Sequence, residues 1–196
     1  MAILINGDTS NGLKLTSDTS GIIELQSGGT TIATVNSTGI TMASGKLLAN
    51  PVPAFRAYLS SNQSITAGVF TKVAYDTEEF DTASAYDNST NFRFLPNVAG
   101  YYQINYSAAV EATATVTRAF VELYKNGASY ERSVYMTTVS GTEQTLQGSA
   151  LVHLNGSSDY LEVYQRQDGC SSNNIREIYV SGPMPTILRG VLVRKA

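Results

Sequence analysis

The side chains best suited to chemistry are acids concentrated in the loop-rich stretch "YDTEEFDTASAYD", residues 75–87. Glycan-cleaving enzymes use two carboxylates roughly 5 to 9.5 Å apart in a groove, and Ca²⁺ takes clustered carboxylate and carbonyl oxygens. The spacing matches no EF-hand loop, so we interpret the stretch as a solvated connection between strands, with a calcium site as the alternative. The acids are Asp76, Glu78, Glu79, Asp81 and Asp87, and the calcium candidates among them are Asp76, Glu79, Asp81 and Asp87.

A nucleophilic thiol would need a nearby general base, and the sequence offers one cysteine, Cys170, and one histidine, His153. His153 lies in "ALVHLNG", which has the pattern of a strand, and we predict that it lies on a strand face. Cys170 is predicted to be a loop thiol. One cysteine cannot form an internal disulfide, so stability must come from packing or assembly. We predict no catalytic residue and no cofactor.

The stretch "RQDGCSSNNIR", residues 166–176, is the strongest candidate for a binding loop. Loops rich in Tyr, Ser, Gly and Asn make adaptable contact surfaces, and long loops in compact domains are often functional. An ordinary surface loop is the alternative. Tyr130, Tyr135 and Tyr179 could stack on sugar rings. The candidate binding residues are Arg166, Asp168, Asn173, Asn174, Arg176 and Tyr179.

Composition argues against two classes of partner. Charged residues make up 15% of the chain, the net charge is -3, and the 13 Lys and Arg are scattered singly. Nucleic-acid binders usually carry a basic stripe, so we expect no nucleic-acid partner. No apolar run approaches the ~20 residues of a membrane helix, so we expect no membrane insertion. The start, "MAILINGDTS", lacks the basic segment of a signal peptide.

The composition changes near position 50, which predicts two pieces and a linker. Residues 1–49 contain no aromatic residue and consist of short apolar pairs separated by Gly, Ser, Thr and Asn, with a weak nine-residue spacing of glycines. Such short strands are marginal alone, so we predict that several copies wind into an intertwined β-stalk; a flexible tail is the alternative. Residues 50–53 form a proline linker, and residues 54–196 form a separate domain.

The second piece is predicted to be all-β, a jelly-roll sandwich of the ten-strand type. Turn signals such as "PNVAG", "KNG" and "NGSSD" separate runs of β-branched and aromatic residues. No window shows a helical repeat. The predicted strands are 54–59, 69–75, 91–95, 100–110, 118–125, 143–154, 159–166, 175–180 and 186–193.

Several of these strands carry apolar side chains on both faces. In 100–110 one face holds Tyr102, Ile104 and Tyr106, which we predict to fill the core. The opposite faces of this and other strands repeatedly carry Tyr or Phe, where a monomer would show polar residues. We therefore predict a subunit interface. Its residues are Tyr101, Phe120, Tyr124, Tyr160 and Tyr164.

Residues 54–194 resemble the globular head domain of complement component 1q, among the tumour necrosis factor-like jelly rolls. The resemblance is carried in order by "PAFRAYLS", by the stretch ending at Tyr86-Asp87, by "FRFLPNVAGYY", by "VELYKNG", by "GSALVHLNGSSDYLEVYQ" and by "ILRGVLV". It implies a homotrimer with aromatic residues near the three-fold axis. Arg189 departs from the pattern, because the family often has a small residue there. Animal members often follow a collagen stalk, and no Gly-X-Y repeat is present here.

Residues 1–49 resemble instead the short Gly-Ser-Thr β repeats of bacteriophage fibres. A β-stalk followed by a trimeric knob is the usual build of a viral fibre. We therefore expect a homotrimeric virion protein of the tail-fibre or fibre-tip type. Its N-terminal segment would bind other virion proteins, and its knob would bind a host-surface glycan or protein without catalysis. The alternatives are a capsid or tail decoration protein, a bacterial secreted binding module and a glycan depolymerase. A virion protein is released by lysis and needs no export signal.

Overall fold

The computed structural model describes residues 20–44, 52–112, 116–136, 144–169, 173–175 and 186–196. Of residues 111–112, 134–136 and 173–175 it describes the backbone alone. The chain divides into two compact units, Met1–Asn50 and Pro51–Ala196. Every regular element in the described ranges is a β-strand, so the predicted all-β class is confirmed. No helix in these ranges is long and apolar enough to span a membrane.

The described part of the first unit is an antiparallel meander of β1 (Ile23–Ser27), β2 (Thr30–Asn36) and β3 (Gly39–Met42). Gly28 and Gly29 join β1 to β2 with φ of 56° and 77°, the left-handed values that a tight hairpin turn requires. Cross-strand pairing places six apolar residues on one face of this sheet. They are Ile23, Leu25, Ala33, Val35, Ile40 and Met42.

The second unit contains two antiparallel sheets whose strands interleave along the chain. Their bounds are β4 (Ala54–Tyr58), β5 (Gln63–Ile65), β6 (Thr71–Lys72), β7 (Thr77–Asp81), β8 (Tyr86–Asp87), β9 (Arg93–Phe94), β10 (Gly100–Ala112), β11 (Arg118–Lys125), β12 (Ala128–Met136), β13 (Gln144–Leu154), β14 (Leu161–Asp168), β15 (Asn173–Ile175) and β16 (Ile187–Lys195).

The seven-stranded sheet runs in the order β5-β15-β10-β16-β4-β7, with β13 pairing the other side of β10. The six-stranded sheet runs β12-β11-β14-β9-β8, with β6 also pairing β14. Neighbours in space are therefore often far apart in sequence: β16 lies between β10 and β4. This sandwich with crossovers between its sheets is the predicted jelly roll.

The core lies between the two sheets and follows the period-two pattern. Tyr102 and Ile104 of β10 are fully buried and Tyr106 is 2% exposed, as predicted. Val121 of β11 and Val163 of β14 are fully buried from the other sheet. Aromatic rings fill much of the remaining volume. Phe55 stacks on Phe94 at 4.1 Å and on Tyr86 at 5.4 Å between ring centroids.

Several strands differ from the predicted set. The prediction missed β5, β7, β8 and β12. A tight hairpin turn at Asn126 and Gly127, whose φ values are 54° and 76°, joins β11 to β12. β12 is an edge strand, and its residues 128–132 are all exposed, so this part of the strand has no buried face. Most of the predicted strand 175–180 lies outside the described residues.

Candidate binding surfaces

The acidic stretch does not form a site. Asp76 accepts hydrogen bonds from the amide and hydroxyl of Ser60, at 2.8 Å each. Glu79 forms an ion pair with Arg56 across the neighbouring strand. Asp76 and Glu79 therefore have separate local partners, whereas burial and the nearby charges of Asp81 and Asp87 raise the pKa of Glu78. Within the described residues no group of three or more Asp, Glu, His or Cys could hold a metal ion, so the calcium candidates Asp76, Glu79, Asp81 and Asp87 are not brought together.

Asp81 and Asp87 are turn-forming residues. Asp81 accepts backbone amides of Ala83, Ala85 and Tyr86 at 3.0, 2.5 and 2.7 Å. Asp87 accepts the amide of Thr90 at 2.9 Å, and also bonds from Asn91 and Ser89, which hold the pKa of its carboxyl well below the ordinary value. Carboxylates that accept several backbone amides are typical of loops that fold on themselves. This agrees with the interpretation of a connection between strands.

His153 lies in β13, as predicted, with its ring 5.2 Å from that of Tyr101 on the paired strand. Cys170 lies outside the described residues. The fit of a thiol and imidazole dyad is therefore not defined by the structure.

The predicted binding loop is divided between the two sheets. Arg166 and Asp168 lie in β14 of the six-stranded sheet. Asn173 and Asn174 lie in β15, which pairs with β5 and β10 of the seven-stranded sheet. Residues 166–168 and 173–175 of the predicted loop are therefore strand, because backbone pairing continues through them. Arg176, Tyr179 and the side chain of Tyr135 lie outside the described part.

Arg166 and Asp168 belong instead to an arginine–phenyl patch on the outward face of the six-stranded sheet. Its rings are Phe70 and Phe120, whose centroids are 5.9 Å apart. Three guanidinium groups lie over these rings, each 5.3 to 6.0 Å from the Phe120 centroid. These distances are typical of cation–π contacts. We define the patch as Phe70, Arg118, Phe120, Arg132 and Arg166.

Two carboxylates position the arginines of the patch. Asp168 accepts from Arg118 at 2.7 Å and from Arg166 at 2.8 Å. Burial would raise the pKa of Asp168, but the hydrogen bonds and charges of the two arginines outweigh it and lower the pKa. Arg132 pairs with the fully buried Glu122 at 3.1 Å, and Ser129 also donates to Glu122. Both carboxylates are therefore hydrogen-bonded partners of guanidinium groups.

The predicted interface residues do not form one surface. Phe120, Tyr124 and Tyr164 lie on the outward face of the six-stranded sheet, whereas Tyr101 lies on the seven-stranded sheet. Phe70 covers Phe120 and Tyr124 at ring distances of 5.9 and 6.4 Å. The second aromatic face of β11 and β14 is thus packed by another segment of the same chain.

Lys72 and Arg93 lie over two of the predicted interface residues, Tyr164 and Tyr160. The Lys72 ammonium lies 6.0 Å from the Tyr164 ring and pairs with Glu162 at 2.5 Å. The Arg93 guanidinium lies 4.7 Å from the Tyr160 ring. Of the five predicted interface residues, Tyr101 is the one that the structure leaves as an exposed large hydrophobic, at 43%.

The outward face of the seven-stranded sheet carries an exposed apolar surface, of which the sequence predicted Tyr101 alone. Around Tyr101 lie Leu151, 57% exposed, Val191, 42% exposed, and Val193, 61% exposed. Gln103 pairs with Leu151 on one side and Val191 on the other, which brings these strands into one row. We call Tyr101, Leu151, Val191 and Val193 the apolar face. The sequence "ILRGVLV" indicated that this strand has apolar residues on both faces. Such a pattern does not show which face belongs to the core and which is exposed.

Beyond this apolar face, the same side of the sheet becomes polar. A groove of 480 Å³ is lined by residues that include Arg56, Asn105, Ser107, Gln147 and Arg189. Arg189 pairs with both Asn105 and Arg56 across the strands. Arg189, the position where the sequence departs from the resembled pattern, is therefore a cross-strand neighbour of Arg56.

The fold and these surfaces define a class: a jelly-roll sandwich with outward-facing contact surfaces and no described catalytic cluster. The C1q domain family model matches residues 54–184, and the chain belongs to that family. The globular domain of zebrafish complement 1qA is similar at 15% identity and a TM-score of 0.51, over 74% of this chain and 99% of that one. Eiger TNF from S. frugiperda is similar at 11% identity and a TM-score of 0.57, over 75% of this chain and 96% of that one.

Murine APRIL is also similar, at 12% identity and a TM-score of 0.51, over 72% of this chain and 99% of that one. At such identities the solved structures show the fold alone. A search of curated proteins finds no match. Domains of this class are generally non-catalytic binding modules that commonly form trimers. The predicted resemblance of residues 54–194 to the complement component 1q head domain is confirmed.

Proposed function

We propose that the chain forms a homotrimer through the apolar face of its seven-stranded sheet. The supporting observation is the exposure of Tyr101, Leu151, Val191 and Val193 on adjoining strands. Contiguous exposed apolar patches mark interaction sites, and central interface residues are typically aromatic or apolar. Trimer formation would bury these side chains, so no other segment of the chain would be needed to cover them.

The first unit supports assembly independently. Leu25 and Ile40 of its apolar face are 45% and 69% exposed, and Ala33 at the centre is buried. A three-stranded sheet this small has no second layer of its own in the described residues, and stable sheets need one. Three copies that bring these faces together would form the predicted stalk.

The function that we propose for this trimer is host attachment by a bacteriophage virion, as a tail-fibre or fibre-tip protein. The stalk would bind other virion proteins, and the knob would bind a host-surface glycan without catalysis. The support is the combination of a Gly-Ser-Thr β segment with a jelly-roll knob. Three identical sites in one trimer would add by avidity.

The oligomer is tested with two matched tyrosines. Tyr101 and Tyr130 are 43% and 48% exposed, on different sheets. Tyr101→Glu places a charge within the proposed interface, whereas Tyr130→Glu places it outside. Size-exclusion chromatography with light scattering should give three chains for the wild type and for Y130E, and fewer for Y101E. A wild-type monomer at micromolar concentration, or an intact Y101E trimer, would refute the interface.

Attachment is tested by incubating the protein with host cells and with their purified polysaccharide. Adsorption without new reducing ends supports a non-catalytic binder, and reducing-end release would identify a depolymerase. Labelling on intact particles in electron micrographs should place the protein at a fibre or fibre tip. Labels distributed over the capsid would instead support a decoration protein.

A further inference from the structure

The arginine–phenyl patch concentrates positive charge at one place on a chain of net charge -3. The side chains of Arg118, Arg132 and Arg166 are 51%, 46% and 32% exposed. Their counter-ions lie deeper, since the side chain of Asp168 is 14% exposed and that of Glu122 is fully buried. The surface that solvent meets is therefore cationic although the carboxylates partly balance the charge.

The guanidinium groups of the patch are held in place before any ligand arrives. Each lies over a phenyl ring, and each donates to a carboxylate on an adjacent strand or its own strand. A guanidinium has five donors in a planar fork that matches a carboxylate or sulfate. A ring contact and one ion pair restrain each guanidinium, while the side chains of Arg118 and Arg132 stay about half exposed to solvent. Preorganisation of this kind lowers the entropic cost of binding.

We propose that this patch binds an acidic saccharide, with a sugar carboxylate received by the outer edges of Arg118 and Arg132. The inference rests on the proposed function, since a host-surface glycan supplies the saccharide. A nucleic acid fits less well, because duplex or single-strand binding uses a basic surface that follows many phosphates, and the three arginines of this patch form one compact cluster around Phe120. A short anionic group at each sugar fits a compact cluster of three arginines.

The experiment titrates the full chain with a short oligogalacturonate and with its methyl-esterified, neutral counterpart. The variant is Arg118→Gln, which removes the most exposed guanidinium and leaves Asp168 paired with Arg166. The matched control is Arg93→Gln, because Arg93 also lies over an aromatic ring, Tyr160, but away from the patch. Arg132 is left unchanged because its loss would leave the buried Glu122 without its cation.

The wild type should bind the acidic oligomer, more weakly as salt is added, and should bind the ester far less. R118Q should weaken binding about tenfold, the loss expected for one charge-assisted contact, whereas R93Q should retain it. Arg118→Lys should recover part of the affinity, because it restores the charge without the planar fork. Circular dichroism of both variants should match that of the wild type.

Three outcomes would overturn the inference: equal binding of acid and ester, equal loss in R93Q and R118Q, or no binding of either oligomer at millimolar concentration. Equal binding of polyglutamate or a single-stranded oligonucleotide would refute the saccharide class. Cell adsorption separates the two proposals. Wild-type adsorption that persists undiminished in R118Q refutes the patch and leaves host attachment standing, whereas absent wild-type adsorption refutes the attachment itself.

Discussion

Gly148 is the position where a single added carbon should be most informative about the core. It lies directly opposite Tyr106 in the β10–β13 pair. A Cβ on residue 148 would lie 2.1 Å from Cζ of Tyr106, 2.3 Å from its Oη and 2.4 Å from Cε2. Ordinary carbon–carbon contacts are about 3.5–4.0 Å. Since Tyr106 is 2% exposed, its ring has no open solvent to enter without leaving the core.

The expected cost of Gly148→Ala follows from these contacts. Overpacking a core typically costs about 1–3 kcal/mol, and full displacement of the ring approaches the about 3–5 kcal/mol of an aromatic-to-alanine change. Alanine recovers about 0.5–1 kcal/mol relative to glycine inside a strand. We therefore expect G148A to lower the free energy of unfolding by about 2 kcal/mol.

A double-mutant cycle isolates the collision. Leucine lacks the Cε2, Cζ and Oη atoms that the new Cβ would meet, so Tyr106→Leu removes the obstacle and keeps an apolar side chain. In Y106L, Gly148→Ala should be neutral or slightly stabilising, which gives a coupling of about 2 kcal/mol. Urea unfolding followed by circular dichroism at one protomer concentration measures both costs. Equal costs of G148A in the two backgrounds, within about 0.5 kcal/mol, would refute the steric explanation.

Three further predictions use single positions. Leu154→Ala should lower the free energy of unfolding in urea by about 2–5 kcal/mol, because Leu154 is fully buried. Leu151 lies on the opposite face of the same strand and is exposed, so Leu151→Ala should change protomer stability by less than about 0.5 kcal/mol and weaken the trimer instead. Tyr75→Phe should cost about 1–2 kcal/mol, because the buried hydroxyl of Tyr75 donates to the Ser107 carbonyl at 3.0 Å and that acceptor would lose its partner. Asp87→Asn should destabilise the fold at neutral pH, because the pKa of Asp87 is lowered in the folded state. The stabilisation from this carboxylate is present above the ordinary carboxyl pKa of about 3.9 and is lost as pH falls toward the folded-state pKa. A stability difference between wild type and D87N that stays constant across acid denaturation would contradict this.

The sequence was most informative where one face of a strand is buried. Tyr102, Ile104 and Tyr106 recur at every second residue, so period-two alternation predicted their burial directly. β12 was missed for the opposite reason. Its exposed Glu131 and Arg132 interrupt any apolar alternation, and it is held at an edge of the sheet by pairing with β11 through a tight turn. Backbone pairing of this kind does not depend on apolar side chains, so the hydrophobicity pattern of the sequence does not reveal the strand.

The candidate surfaces were less predictable because they depend on distant pairs. Phe70 reaches Phe120 and Arg166 across the six-stranded sheet, and no local pattern indicates that contact. The outward aromatics of β11 therefore resembled an intersubunit surface, although their partner lies in the same chain. Leu151 was overlooked because the pattern of β13 alone does not show that its outward neighbours on β10 and β16 are also apolar.

The position of β16 has a consequence for the order of events during synthesis. It follows every other strand of the two sheets in the chain, yet it pairs β10 on one side and β4 on the other, near the middle of its sheet. A chain interrupted before residue 187 leaves those two strands without their common neighbour and lacks Val191 and Val193. Truncated products thus cannot present a complete apolar face, so we expect chains that lack β16 to be excluded from the proposed trimer.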